Sequence, residues 1–366
     1  MKLVEIFEHV PDFRTNCYVS HKLSEILVIS LCGVLSGADD FEEIREYGIQ
    51  KHDFLLGFLE LKNGIPSAGT FCRVFRNMDK VAFADCLKKW SKEIIVGLES
   101  HQINIDGKVL RATGKRGKKT AAQCLVSAWS SDCLVSLGQV KVGKKSNEKT
   151  AIPELVESLD IKDRLVTIDA MGCHRYIAEL IRDNGGDYLL ALKKNNKGLY
   201  EEVSDVFSKH KHLMDKYVDV DYVGGRIETR TTYVSHNLTF VDELEDWKDC
   251  SSIIMVESVR TFKNGAEKDT FQQKFYVSSA KKSAEYFGKR TRSHWSIENQ
   301  CHWYLDVVFN EDRQRIREGN APENMAILRK LALQTLLQHK GKDSLKKVRK
   351  RVAWNDEFLL LVLKKF

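Results

Sequence analysis

Apolar residues recur at helical spacing from about Leu3 to Ser100, as in Leu23, Ile26, Leu27, Leu31 and Val34, or Phe83, Leu87, Trp90 and Ile94. Positions three and four apart share one face of a helix, so the pattern predicts a helical N-terminal domain over residues 1–100. Within it, Pro66-Ser67-Ala68-Gly69-Thr70 reads as a turn and N-cap opening a helix that carries Phe71, Val74, Phe75 and Met78. After residue 100 the spacing changes to short β-rich runs at Gln102–Ile105, Cys124–Trp129, Leu134–Val142, Arg164–Ile168 and Tyr188–Leu192. A helix fits Ile152–Leu159, with Thr150 as its cap and Pro153 in its first turn, and another fits Tyr176–Asp183, ended by Gly185-Gly186. Three strands followed by helix, strand, helix, strand predict an α/β domain whose sheet begins antiparallel and then gains crossover connections.

Further β-like runs at Tyr217–Asp221, Arg230–Val234, Ser252–Phe262 and Thr270–Val277, with turns at Gly224-Gly225 and Asn264-Gly265, predict a β-rich insertion over about 217–279. Helices resume at Ala280–Leu305, Pro322–Gln338, Leu345–Arg351 and Glu357–Leu363. The larger domain is thereby expected to span 101–340, leaving 341–366 as a basic helical C-terminal segment.

At 366 residues the chain exceeds what one core usually encloses, and 43% hydrophobic with 30% charged residues is the composition of a folded globular protein. Met1 to Val10 mixes Lys2, Glu5 and Glu8 with apolar residues, unlike a secretory leader, and Ile26–Leu35 is too short to span a bilayer. A cytoplasmic protein without a membrane partner is expected. Nine cysteines, none in a CxxC pair, read as reduced thiols, and the adjacent pairs Cys173-His174 and Cys301-His302 do not make a zinc framework.

The net charge of +7 is concentrated in two runs. One holds Lys108, Arg111, Lys115, Arg116, Lys118 and Lys119, and the other holds Lys340, Lys342, Lys346, Lys347, Arg349, Lys350 and Arg351 against Asp343. Such runs suit nucleic acid or a solvated face equally. The helix opened by Ser67 likewise suits a helix-turn-helix or ordinary packing.

Three acids are placed for chemistry. Asp106 ends the apolar strand Ile103-Asn104-Ile105 before Gly107, and Asp169 ends Leu165-Val166-Thr167-Ile168 before Ala170-Met171-Gly172. A carboxylate at a strand end is rigidly held yet projects into open space, and two such acids close together call for cations between them. Each string also reads as something plainer, a turn at Asp106 and a helix cap at Asp169. Glu298 lies in His294-Trp295-Ser296-Ile297-Glu298-Asn299, and on a continuous helix His294, Glu298 and His302 would share one stripe. Oxygen ligands suit Mg²⁺ or Mn²⁺, so the two histidines are expected beside the ligands or against DNA, or as ordinary surface or core histidines.

With these strings in place the chain resembles the H-repeat-associated group of bacterial insertion-sequence transposases, in the DDE superfamily with a ribonuclease H-like core. The resemblance rests on Ile105-Asp106-Gly107-Lys108, Lys145-Ser146-Asn147-Glu148, Ala151-Ile152-Pro153-Glu154-Leu155, Thr167-Ile168-Asp169-Ala170-Met171-Gly172-Cys173, Gly186-Asp187-Tyr188-Leu189-Leu190-Ala191-Leu192-Lys193 and His294-Trp295-Ser296-Ile297-Glu298-Asn299 through Asp312. It implies a ribonuclease H-like mixed sheet flanked by helices, two divalent ions on Asp106, Asp169 and Glu298, and DNA contacts from Lys108, Arg111, Lys193, Arg292 and His294. It further implies a polynucleotidyl transferase that hydrolyses and rejoins phosphodiesters at element ends, working as a homodimer on DNA. A nuclease of the same fold without joining, and a catalytically inactive DNA-binding descendant, are the alternatives. Related cut-and-paste transposases flank their glutamate with tyrosine, arginine and lysine, whereas the equivalent spacings here hold Thr291, His294 and Leu305, with Arg292 or His294 standing in for the arginine.

Overall fold

The computed structural model describes residues 2–14, 19–95, 101–114, 121–143, 148–223, 225–262 and 269–364. Lys115, Arg116, Lys118, Lys119, Lys145 to Asn147, Gly224 and the Asn264-Gly265 turn lie outside these, as do the side chains of Leu87, Trp90 and Ile94. The strands are β1 Gln102–Leu110, β2 Gln123–Ser130, β3 Val135–Lys141, β4 Leu165–Ile168, β5 Asp187–Leu192, β6 Asp215–Val223, β7 Arg226–Ser235, β8 Ser252–Phe262 and β9 Thr270–Ser278. The chain divides into two compact units, one of Met1–Glu99, Gly107–Val142 and Glu298–Phe366, the other of Ser100–Asp106 and Gly143–Ile297.

The first unit is built on a helix that has no polar face left outside. All residues of Ala321–Leu337 are buried, and the helix packs against the helices Leu23–Ser36, Ala68–Asn77 and Lys80–Ile95 and against β3. Ser67 caps Ala68–Asn77 by accepting from the Thr70 N–H, as the sequence predicts, and Phe71, Val74 and Phe75 face inward. Enclosing a whole helix requires partners for its polar residues. Asn324 donates to the carbonyls of Phe75 and Met78, and Lys330 donates to Ser127 Oγ at 2.6 Å and Gln139 Oε1 at 2.7 Å. The basic C-terminal run is not a uniform outer face: Arg349 is buried, donating to the carbonyl of Val34 and to that of Val308.

In the second unit the strand order is β1, β4, β5, β9, β8, β7, β6. β1, β4 and β5 are parallel, their apolar runs buried on the sheet, while β9 to β6 are antiparallel neighbours. The region expected as a β-rich insertion therefore continues the sheet, because β9 pairs with β5 from Leu189 opposite Ser278 to Leu192 opposite Phe275. Two helices also depart from expectation. Glu148–Glu157 begins ahead of Thr150, which is thus inside the helix and not its cap, with Pro153 in the interior. The predicted Ala280–Leu305 helix instead runs from Ala284, capped by Ser283, to His294, then passes through a π-helical stretch Ile297–His302 into Trp303–Val307. A π-helix carries more residues per turn than an α-helix. His294, Glu298 and His302 therefore do not form an α-helical stripe: Glu298 is exposed while His302 is buried.

Candidate active site

β1 and β4 align Asn104 with Thr167 and Ile105 with Ile168. One residue further along each strand stand Asp106 and Asp169, on the face shared by Asn104 and Thr167, since successive strand residues alternate in direction. Ile103, Ile105, Val166 and Ile168 fill the opposite face and are buried. Both acids are half-buried. Burial first, and then the charge of Asp106, hold the Asp169 carboxyl above its usual range, against hydrogen bonds from the Met171 and Gly172 N–H groups and the Lys193 ammonium. Two carboxylates placed this way repel until a cation or a proton intervenes.

The turn after Asp169 is fixed twice. Asp169 Oδ1 accepts from the Met171 N–H at 3.0 Å, capping the 3₁₀ turn Ala170–Gly172; the helix that follows, Arg175–Asp183, starts at His174, so Asp169 caps the turn and not that helix. Gly172 has no room for a side chain: a Cβ there would stand 2.4 Å from Ile168 Cγ2 and 3.0 Å from Ile152 Cδ1. Gly172→Ala should therefore cost about 1–3 kcal/mol by overpacking and shift the Asp169 turn. Thermal unfolding together with divalent-ion affinity checks this, and loss of neither would show that the turn yields freely.

Behind the acids lies a polar ladder that the sequence reading missed. Gln102 Nε2 donates to Asn104 Oδ1 at 2.7 Å and to the Arg290 carbonyl at 3.0 Å; Asn104 Nδ2 donates to the Ser293 carbonyl and to Ser296 Oγ. Thr167 Oγ1 donates to Asn104 Oδ1 at 2.7 Å and lies 2.8 Å from His294 Nδ1. The ladder holds the C-terminal end of the helix Ala284–His294 over β1 and β4. Its signal was in the strings themselves, where Gln102, Asn104 and Asp106 alternate with isoleucines and so share a face.

Residues 4–91 match the family model described as DDE_Tnp_1-associated, and residues 100–334 match the Transposase DDE domain. The chain belongs to the DDE transposase family. It is 39% identical to the protein YncI of Escherichia coli O157:H7 across 99% of this chain and 94% of that one, and 36% identical to the H repeat-associated protein YhhI of Escherichia coli strain K12 across 99% and 98%. Both relatives carry the word transposase in their names. A cryo-EM structure of a piggyBac transposase synaptic complex with hairpin DNA matches 99% of this chain and 78% of that one at 11% identity with a TM-score of 0.38, too low to weigh on fold or function.

On this DDE transposase chain the expected site residues fall differently. Asp106 and Asp169 are brought together. Glu298 is exposed on the π-helical stretch, and among the described residues no group of three or more His, Cys, Asp or Glu could hold a metal ion. Lys193 is exposed just past β5 and lowers the Asp169 carboxyl, as a phosphate-binding cation near the acids would. Arg111 is 81% exposed, with Asp312 at 3.4 Å. Arg292 is exposed but bridged to Asp219 and Asp221. His294 is half-buried and held neutral, its imidazole pushed down to about 4 by burial against the opposing pull of Asp106.

Lys108 is a correction. It is only 8% exposed, and its ammonium donates to Asp306 Oδ1 at 2.5 Å and Glu311 Oε2 at 2.6 Å. Burial alone would lower this ammonium, but Glu311 and Asp306 raise it. The lysine following Asp106-Gly107 thus turns inward as a buried counter-ion and does not present its charge to DNA.

Proposed function

We propose that this chain cuts and joins DNA, hydrolysing a phosphodiester at the end of an insertion sequence and directing the freed 3′-hydroxyl at target DNA, with divalent ions held by Asp106, Asp169 and Glu298. The observation that carries the reading is that Asp106, within β1, and Asp169, just past β4, each stand one residue beyond the paired Ile105 and Ile168 of adjacent parallel strands, with the Asp169 carboxyl raised by burial and then by Asp106. Carboxylate oxygens are the donors that Mg²⁺ or Mn²⁺ prefers, so the donor chemistry fits two ions of this kind. When bound, such ions activate the attacking oxygen and stabilise the leaving one in an in-line displacement. The protein's own residues supply position and charge. Asp106 is a ligand within a rigid strand and Asp169 one just past a strand end, Glu298 is the third ligand by its place in the family strings, and Lys193, Arg111 and Arg292 hold backbone phosphates without reading sequence. Two copies acting across paired ends complete the proposal.

Glu298→Gln tests the third ligand. In a Mg²⁺-dependent assay that scores cleavage and joining separately, both should fall roughly a hundredfold or more while DNA binding is retained, because a ligand contributing a few kcal/mol to transition-state charge is lost. Unchanged rates would remove Glu298 from the site. Ends that are cut by the native protein but never joined would leave a nuclease.

A further inference from the structure

The ladder behind the acids fixes where one proton sits. Asn104 Nδ2 faces the Ser293 carbonyl and Gln102 Nε2 faces the Arg290 carbonyl, which settles the orientation of both amides, so Asn104 Oδ1 is an acceptor only. The Thr167 hydroxyl, 2.7 Å from that oxygen, has a single proton and gives it to Asn104. Thr167 Oγ1 must then accept from His294 Nδ1, 2.8 Å away. A neutral imidazole protonated on Nδ1 carries a lone pair on Nε2. The His294 ring is engaged at Nδ1 by Thr167 and is near enough to Asp106 to feel its charge.

We propose that Asn104 and Thr167 are positioning residues that lock His294 as the Nδ1–H tautomer, so that Nε2 accepts a hydrogen bond from the O–H of the attacking nucleophile, water in cleavage and the 3′-hydroxyl in joining. Deepening the function proposed above, this inference rests on the reaction taking place at Asp106 and Asp169. A nucleophile whose O–H is held by a fixed acceptor directs its other lone pair at phosphorus, which is the gain from orientation. An imidazole free to change tautomer would also present a donor at Nε2 and lose that selectivity.

Two measurements on the full chain test it. Nitrogen NMR with ring-labelled histidine, with His294→Gln used to assign the signal, should show His294 as the neutral Nδ1–H tautomer at neutral pH. Thr167→Val should abolish that preference and Thr167→Ser restore it. An Nε2–H tautomer or a charged ring in the native protein would overturn the proposal, and this readout is independent of whether the chain cleaves DNA. The second is the kcat of Mg²⁺-dependent cleavage. His294→Gln, whose amide oxygen can reach the Nε2 position, should retain roughly 10–100-fold more activity than His294→Asn, which replaces only the Nδ1 donor. Equal losses in the two, with Mn²⁺ binding intact in both, would overturn the acceptor role, whereas absence of cleavage in the native protein with the tautomer confirmed would refute the functional reading alone.

Discussion

Exchanging Asp106 for alanine is expected to reduce Mg²⁺-dependent cleavage by roughly a thousandfold or more, since a ligand to a catalytic metal accounts for several kcal/mol of barrier. The companion exchange Asp106→Asn should do the same to activity and yet, in protein stripped of divalent ions, raise the unfolding temperature. The direction follows from the Asp169 carboxyl, which burial and then Asp106 raise above its usual value. A carboxyl raised by folding disfavours the folded state once the pH exceeds its unfolded pKa, and the penalty is complete above its folded pKa. The stabilising effect of Asp106→Asn should thus be present at neutral pH, where it removes the neighbouring charge, and fade as the pH falls into the range where carboxylates protonate. Thermal melts across pH, with and without Mg²⁺, measure this. A variant that melts lower than the native protein at neutral pH would show that the pair is not under repulsion.

Lys108→Met should be the most destabilising single change away from the acids, lowering stability by about 3–5 kcal/mol. Glu311 is buried at 3% exposure, and burial alone would raise its carboxyl, but Lys108 and then Arg329 outweigh that and lower it. Asp306 is instead raised by burial and by its acidic neighbours despite Lys108. Without the ammonium, the Glu311 carboxylate is left with little access to water beside the part-exposed Asp306, which is the costly way to break a buried ion pair. Lys108→Met combined with Asp306→Asn and Glu311→Gln should recover much of the loss, because the charges disappear together. Urea unfolding of the single and triple variants measures both. A Lys108→Met midpoint close to the native one would mean that water reaches Glu311.

Much of this architecture was legible because hydrophobic period follows burial. Ser252–Phe262 was read with its true bounds, and β4, β5 and the helix Ala321–Leu337 lie within a residue of theirs. The acids Asp106 and Asp169 were legible for the same reason, each following a buried strand segment, although β1 runs on through Asp106 to Leu110 and so has neither the strand end nor the turn expected there. Three features were not. The run Ala280–Leu305 has helical composition throughout, and nothing in its residue types marks the π-helical stretch that starts at Ile297 and takes Glu298 out of the expected stripe. The β-rich stretch from Asp215 to Ser278 was legible, but not that it extends the sheet, because strand order is a matter of pairing partners and β9 meets β5 across a long sequence separation. Lys108 read as a surface charge because lysine is usually exposed, and its partners Asp306 and Glu311 lie about two hundred residues away.

Whether Asp106 and Asp169 together hold a divalent cation is measured directly by titrating Mn²⁺ into the full chain while following its electron paramagnetic resonance signal. The native protein should bind Mn²⁺, and binding should be lost in Asp106→Asn and in Asp169→Asn, each folded by its melting curve. Native-level Mn²⁺ affinity in both folded variants would contradict it.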